Sequence, residues 1–287
     1  MGVTGRRSTA RDAADVLILL VLGMALLALT VWLALRTGPG SRVDADVVRS
    51  FRVDGFNAGR IDALLREIRI PTMLMLTLVA MAVAALQRLW RVAIALPLLV
   101  VGANQTTQLL KNDYLDSLVS VSGLRVTMPS GHSTAALSLA AVAIIAAPRI
   151  IRPLACLLGG AIAGGAGLGT MAERWHRPAD VIAAVAVVMI WSAVALTIGG
   201  NWVGTPRVRS AGFDRGVGNA ALAVLGTGIG VFVLHRLGME PMAGSRAHAL
   251  AYGSLAVVGT TIGLGLGLIA LVAERRIFRQ EGRHVGG

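Results

Sequence analysis

Eight apolar runs follow one another along this chain at short intervals, and they decide what it can fold into. Runs of about 18 or more apolar residues suit the hydrocarbon layer as helices. An open sheet cannot satisfy its backbone groups in lipid, so helical spans are the form that remains. The runs fall at about residues 15–35, 71–86, 92–110, 130–148, 154–171, 178–199, 218–234 and 248–273. The expected fold is all-α, a polytopic membrane helical bundle. A charged share of only 15% beside a hydrophobic share of 55% argues against a soluble domain of this length.

The net charge of +12 suggests a nucleic-acid partner at first sight. The basic residues are scattered in short loops, however, which is the pattern of membrane topology. Anionic lipid is the expected electrostatic partner, with no nucleic acid. Nearly all of the positive charge is arginine, and Lys111 is the only lysine. The first run is too long for a signal peptide and has no small-residue cleavage site after it. Arg6 and Arg7 lack the rest of a twin-arginine signal, so an uncleaved first span is expected. Cys156 lies alone in an apolar run, which suits packing.

Between the runs, the connection 36–70 carries Ile61, Leu64, Leu65 and Ile68 at helical spacing, with charges between them. This predicts a short amphipathic helix, either at the membrane interface or packed over the bundle. The third run ends in polar residues, where Asn104, Gln108 and Lys111 share a helix face. Such residues either line a cavity or join helices. Pairs four apart, Gly160 with Gly164 and Gly165 with Gly169, predict close helix approach, as do Gly259, Gly263 and Gly267.

Counting loop charges orients the chain. Segments 1–14, 87–91, 148–153, 200–217 and 274–287 are each net positive, and 36–70, 111–131, 172–177 and 235–247 are closer to balanced. The bias places both termini in the cytoplasm of a multi-pass cell-membrane protein. Lys111, His132, His176 and Asp180 then share the extracytoplasmic side. The organisation reads as a cytoplasmic N-terminus (1–14), a six-span core (15–199), a cytoplasmic loop (200–217), two further spans (218–273) and a cytoplasmic tail (274–287).

Two span mouths carry chemistry. In Pro129-Ser130-Gly131-His132, Ser130 suits a helix N-cap and Gly131 allows close backbone approach. The free N–H groups and dipole of such an end attract an anion. His132 stands where it can donate a proton to a leaving oxygen. In the second mouth His176 and Asp180 are four apart. A carboxylate on one ring nitrogen fixes the tautomer and leaves the other nitrogen to attack. Taken singly, each mouth also has a purely structural reading. Two histidines and a carboxylate can hold zinc. The anion-attracting cap and Lys111 oppose that, so no metal and no cofactor is expected.

These residues resemble the three motifs of the type 2 phosphatidic acid phosphatase family, the integral-membrane lipid phosphate phosphatases related to vanadium haloperoxidases. Lys111, Pro129-Ser130-Gly131-His132 and His176-x-x-x-Asp180 carry the resemblance, over about residues 70–199. The resemblance implies a six-helix core and a metal-independent hydrolase acting on a membrane lipid phosphate. It implies His176 as the nucleophile that forms a phosphohistidine, Asp180 as its orienting partner and His132 as the general acid. Lys111, Ser130 and Gly131 would contact phosphate. Two motif positions depart. Leu118-Val119 stand where the first motif has Arg-Pro, and Gly169-Thr170 where the third has Ser-Arg. Arg125, Arg174 and Arg177 are candidates to supply a guanidinium from elsewhere, Arg125 foremost.

The leading expectation is therefore a membrane phosphatase cleaving a lipid phosphate or pyrophosphate. The alternative is a degenerate family member that binds or transports phospholipid without cleaving it. Halide oxidation with vanadate is a remote further reading.

Overall fold

The structure is a computed structural model that describes residues 3–53, 55–119, 126–200, 211–237 and 239–277. Helices appear at all eight apolar runs: α1 (Val3–Val31), α4 (Ile70–Leu86), α5 (Trp90–Leu109), α6 (Gly131–Ala146), α7 (Arg152–Ala172), α8 (Pro178–Gly199), α9 (Ala211–Arg236) and α10 (Ser245–Ile277). Two shorter helices, α2 (Gly38–Arg49) and α3 (Gly55–Arg66), lie in the first long connection. The protein is an all-α polytopic bundle.

The runs are not equivalent. Among the described residues, six segments are long and apolar enough to cross a membrane: Ala13–Arg36, Trp90–Tyr114, Arg152–Ala172, Pro178–Gly199, Arg215–Arg236 and Ser245–Ile277. The second run differs, because α4 joins the end of α3 at a 54° bend. The fourth run, α6, has only 16 residues. At about 1.5 Å per residue it falls short of a hydrocarbon layer of roughly 30 Å. It is buried along nearly its whole length, packed by α4, α5, α7, α8 and α10. Its Ala, Ser and Thr side chains are small enough for those neighbours to close around it.

The last two helices share the core of the first six. Residues of α9 and α10, among them Ala223, Val258, Ile262 and Ala270, belong to the same apolar cluster as Leu137, Ile144, Leu168 and Val185. The α7–α9 contact uses two glycine pairs. A Cβ at Gly160 would meet the Ala223 carbonyl, and one at Gly226 the Leu157 carbonyl. The predicted Gly259, Gly263 and Gly267 line of α10 faces Val231, Val224 and Ala220 of α9. Of the other predicted pair, Gly165 has no neighbour in reach, while Gly169 lies under Ile61 of α3.

One feature has no counterpart in the sequence reading. Strands β1 (Phe51–Val53) and β2 (Met239–Pro241) pair antiparallel, with Phe51 opposite Pro241. The ribbon joins the 36–70 and 235–247 connections, two segments that the charge count puts on one side. The expected amphipathic helix is α3. Its Ile61 and Leu65 are buried and Leu64 is exposed. Ile61 and Leu65 pack on Gly169 of α7, so α3 rests on the bundle. At the opposite end, Arg152 of α7 and Glu274 of α10 form a buried ion pair.

Candidate active site

The two mouths meet. Ser130, the residue before α6, donates its backbone N–H to the Asp180 carbonyl of α8 at 3.0 Å. The mouth of α6 is thereby fixed to the first turn of α8. Ser130 is the N-cap of α6, and its Oγ accepts from the Ser133 N–H at 3.3 Å and from the Ser133 hydroxyl at 2.8 Å. Both serines are buried. The preceding Met128–Pro129 peptide is cis.

At the second mouth, His176 Nδ1 lies 3.0 Å from Asp180 Oδ2. Read as Nδ1–H donating to the carboxylate, this leaves the Nε2 lone pair available. Asp180 Oδ2 also accepts from the Thr127 hydroxyl at 2.6 Å and the Arg177 backbone N–H at 3.0 Å. Three donors on one oxygen fix the carboxylate's orientation, and the carboxylate fixes the ring. His176 is itself 8% exposed. Its backbone N–H, with that of Trp175, donates to the Thr170 carbonyl, so the loop is tied to the end of α7.

His132 stands in the first turn of α6, half-buried, its ring 5.4 Å from that of Trp175 at a tilt of 49°. The charges of His176 and Lys111 both act on it. Lys111 sits in a π-helical turn, Leu110–Tyr114, that ends α5. Gln108 brings its amide to Gly131, where an added Cβ would be 3.5 Å away. The other polar residues of α5 join helices: Asn104 donates to Ser138 of α6, Thr107 pairs with Thr134 of α6, and Thr106 accepts from Trp191 of α8.

The arginines divide differently. Arg125 lies outside the described residues. Arg174 has a left-handed backbone, φ 58°, and its guanidinium donates to the Phe51 carbonyl of β1 at 3.1 Å. A non-glycine residue held there carries local strain, of the kind that clusters at functional sites. Arg177 stands beside the site, where its charge acts on Asp44. Of the two departed motif positions, the second is filled by packing. Gly169 lies beneath Ile61 and Leu65, and Thr170 is fully buried with its hydroxyl on the Gly167 carbonyl. Leu118 is exposed at the end of a single 3₁₀ turn.

Sequence reasoning missed three neighbours of the site. Thr127 and Trp175 adjoin the two motifs, and adjacency was the signal available for them. Asp44 comes from α2, and its Oδ1 accepts from the Ala179 N–H of α8 at 2.9 Å. Burial, reinforced by the nearby Asp180, pushes its carboxyl up to about 7, against the pull of the Ala179 hydrogen bond and Arg177. Among the described residues, no three His, Cys, Asp or Glu side chains are grouped to hold a metal ion.

Every one of Lys111, Ser130, Gly131, His132, His176 and Asp180 lies between the middle of α5 and the end of α8, the stretch that a family model recognises: residues 98–203 match the PAP2 superfamily. This segment is similar to the PAP2 superfamily. Members of the PAP2 superfamily are typically phosphatases. No curated protein and no solved structure matches the chain. The PAP2 segment holds both histidine mouths, while Asp44 and the β1–β2 ribbon lie outside it.

Proposed function

We propose that this multi-pass membrane protein is a phosphatase that hydrolyses a lipid phosphate or pyrophosphate at the extracytoplasmic face. His176 Nε2 attacks phosphorus, a P–N bond forms and the P–O bond to the lipid breaks. His132 gives its proton to the departing lipid oxygen. In the second step His132 takes a proton from water, water oxygen bonds to phosphorus, and the P–N bond breaks to release inorganic phosphate. Lys111 and the N–H groups at the α6 mouth stand opposite the negative oxygens. The observation that carries the reading is the Ser130–Asp180 link, which sets the α6 mouth on the oriented His176–Asp180 pair.

The test is phosphate release from dioctanoyl phosphatidate by the purified protein in detergent. The expected result is release by the wild-type protein and loss of at least about a hundredfold in His176→Ala and in His132→Ala. Equal rates in all three proteins would overturn the reading.

A second reading has its own observation. Packing occupies the Gly169-Thr170 positions, and Arg174 is engaged by Phe51. A site short of guanidinium groups suits a protein that binds a phospholipid headgroup without cleaving it. Binding of the same lipid, with no acid-labile phosphohistidine trapped on His176, is the result that favours it.

A further inference from the structure

Helix α2 presents Ser41, Asp44 and Val47 to the bundle, three apart on one stripe, and leaves Arg42, Val43 and Arg49 exposed. Asp44 is therefore carried inward by the register of α2. What it meets is the first turn of α8, where backbone N–H groups have no partner within the helix. Pro178 has no N–H. The Arg177 N–H is taken by Asp180 of the same turn. The Ala179 N–H is taken by Asp44, from 135 residues upstream. Two carboxylates thus hold one helix start, and one of the two also holds His176.

We propose that Asp44 is a positioning residue for the His176–Asp180 pair, a remote cap that fixes the first turn of α8 from the connection between the first two apolar runs. The proposal rests on the phosphatase reading for its activity readouts. The geometry makes the case: Asp44 is buried, is bonded to the residue before Asp180, and touches neither histidine by a hydrogen bond. A shift of α2 is passed to α8 through this bond. It reaches the carboxylate on which the nucleophile's tautomer depends.

The charge of Asp44 adds a second lever. The charges acting on it are Asp180 of α8 and Arg177, the residue before α8. On the exposed side of α2, Asp46 pairs with Arg49 and with Arg246 of α10. Arg42 of α2, Arg36 of the preceding π-helical turn and Arg52 of β1 are exposed. Ionised Asp44 places a negative charge beside the first turn of α8 that carries Asp180. Its change of charge near neutral pH follows from its burial.

The experiment compares wild-type, Asp44→Ala, Asp44→Asn and His176→Ala proteins, with dioctanoyl phosphatidate as substrate, across the neutral pH range. Asp44→Ala removes the acceptor, and kcat is expected to fall about tenfold with KM within about twofold. Asp44→Asn keeps an acceptor oxygen without charge. It is expected to retain most of the activity and to lack an inflection near pH 7 that is expected of the wild-type profile. Wild-type kcat and pH dependence in Asp44→Ala would overturn the proposal. A readout that needs no turnover is the ring nitrogen chemical shift of His176 in labelled protein. One tautomer, protonated at Nδ1, is expected in wild-type and Asp44→Asn proteins and a mixture in Asp44→Ala, and an unchanged tautomer in Asp44→Ala overturns the proposal. If wild-type protein releases no phosphate, the phosphatase reading fails, and the His176 tautomer still decides the role of Asp44.

Discussion

Asp180 and Asp44 share one helix start and are held differently. Asp180 Oδ2 is held by three donors, two of them within its own turn. Asp44 has one hydrogen bond and deep burial, so its neutral form is favoured in the fold. The consequence for stability has a definite sign. A carboxyl whose folded pKa is raised from 3.8 to about 7 stabilises the fold fully below the lower value. That contribution is lost as pH rises through the higher one. About three units correspond to a few kcal/mol at most, on the order of 1.4 kcal/mol per unit. Thermal unfolding in detergent should therefore show Asp44→Asn gaining on wild type as pH rises from about 5 to 8. A melting difference that does not change with pH would contradict this burial. A position that favours the neutral form while serving the site at neutral pH is one where stability and function pull apart.

At the scale of elements, the glycine contacts decide how closely α9 approaches α7. Gly226 has no room for a side chain, because the Leu157 carbonyl stands where its Cβ would be. Gly226→Val should push α9 off α7 and destabilise the protein by about 1–3 kcal/mol. Gly228 faces open space, so Gly228→Val should have little effect. Denaturant or thermal unfolding of the two variants side by side checks the difference. The helices were legible in sequence because each apolar run is long and bounded by arginine, proline or polar residues. The α2 helix and the β1–β2 ribbon were not. Only Ser41, Asp44 and Val47 of α2 are buried, and two of these are polar. A ribbon of three residues per strand, paired across nearly 190 positions, leaves no periodicity to read. Partial burial also explains α3, whose apolar stripe fitted two placements until Gly169 was seen beneath it.

For the whole molecule, the histidine mouths and the Arg152–Glu274 pair mark opposite ends of the bundle. Sidedness has a clean assay, because Cys156 is the sole cysteine and is buried. In a Cys156→Ala background, Ser117→Cys is expected to react with an impermeant maleimide on intact cells, and Ile150→Cys only after lysis. Both positions are exposed, at opposite ends. The reverse pattern would invert the proposed topology. The motif residues of the candidate site were legible because they recur as short patterns at span mouths. Asp44 was not, since nothing local to α2 signals a partner 135 residues away.

The filled motif positions carry a consequence for reversibility. Gly169 has α3 lying on it, and Thr170 has no exposed surface at all. Writing the Ser-Arg dipeptide back into these places sets a Cβ 3.3 Å from Ile61 and a guanidinium in a closed interior. Buried charge without a partner is strongly unfavourable. The Ile61 side chain must give by a few tenths of an ångström to admit the serine. The departure from the motif is thus held in place by packing, at Thr170 above all.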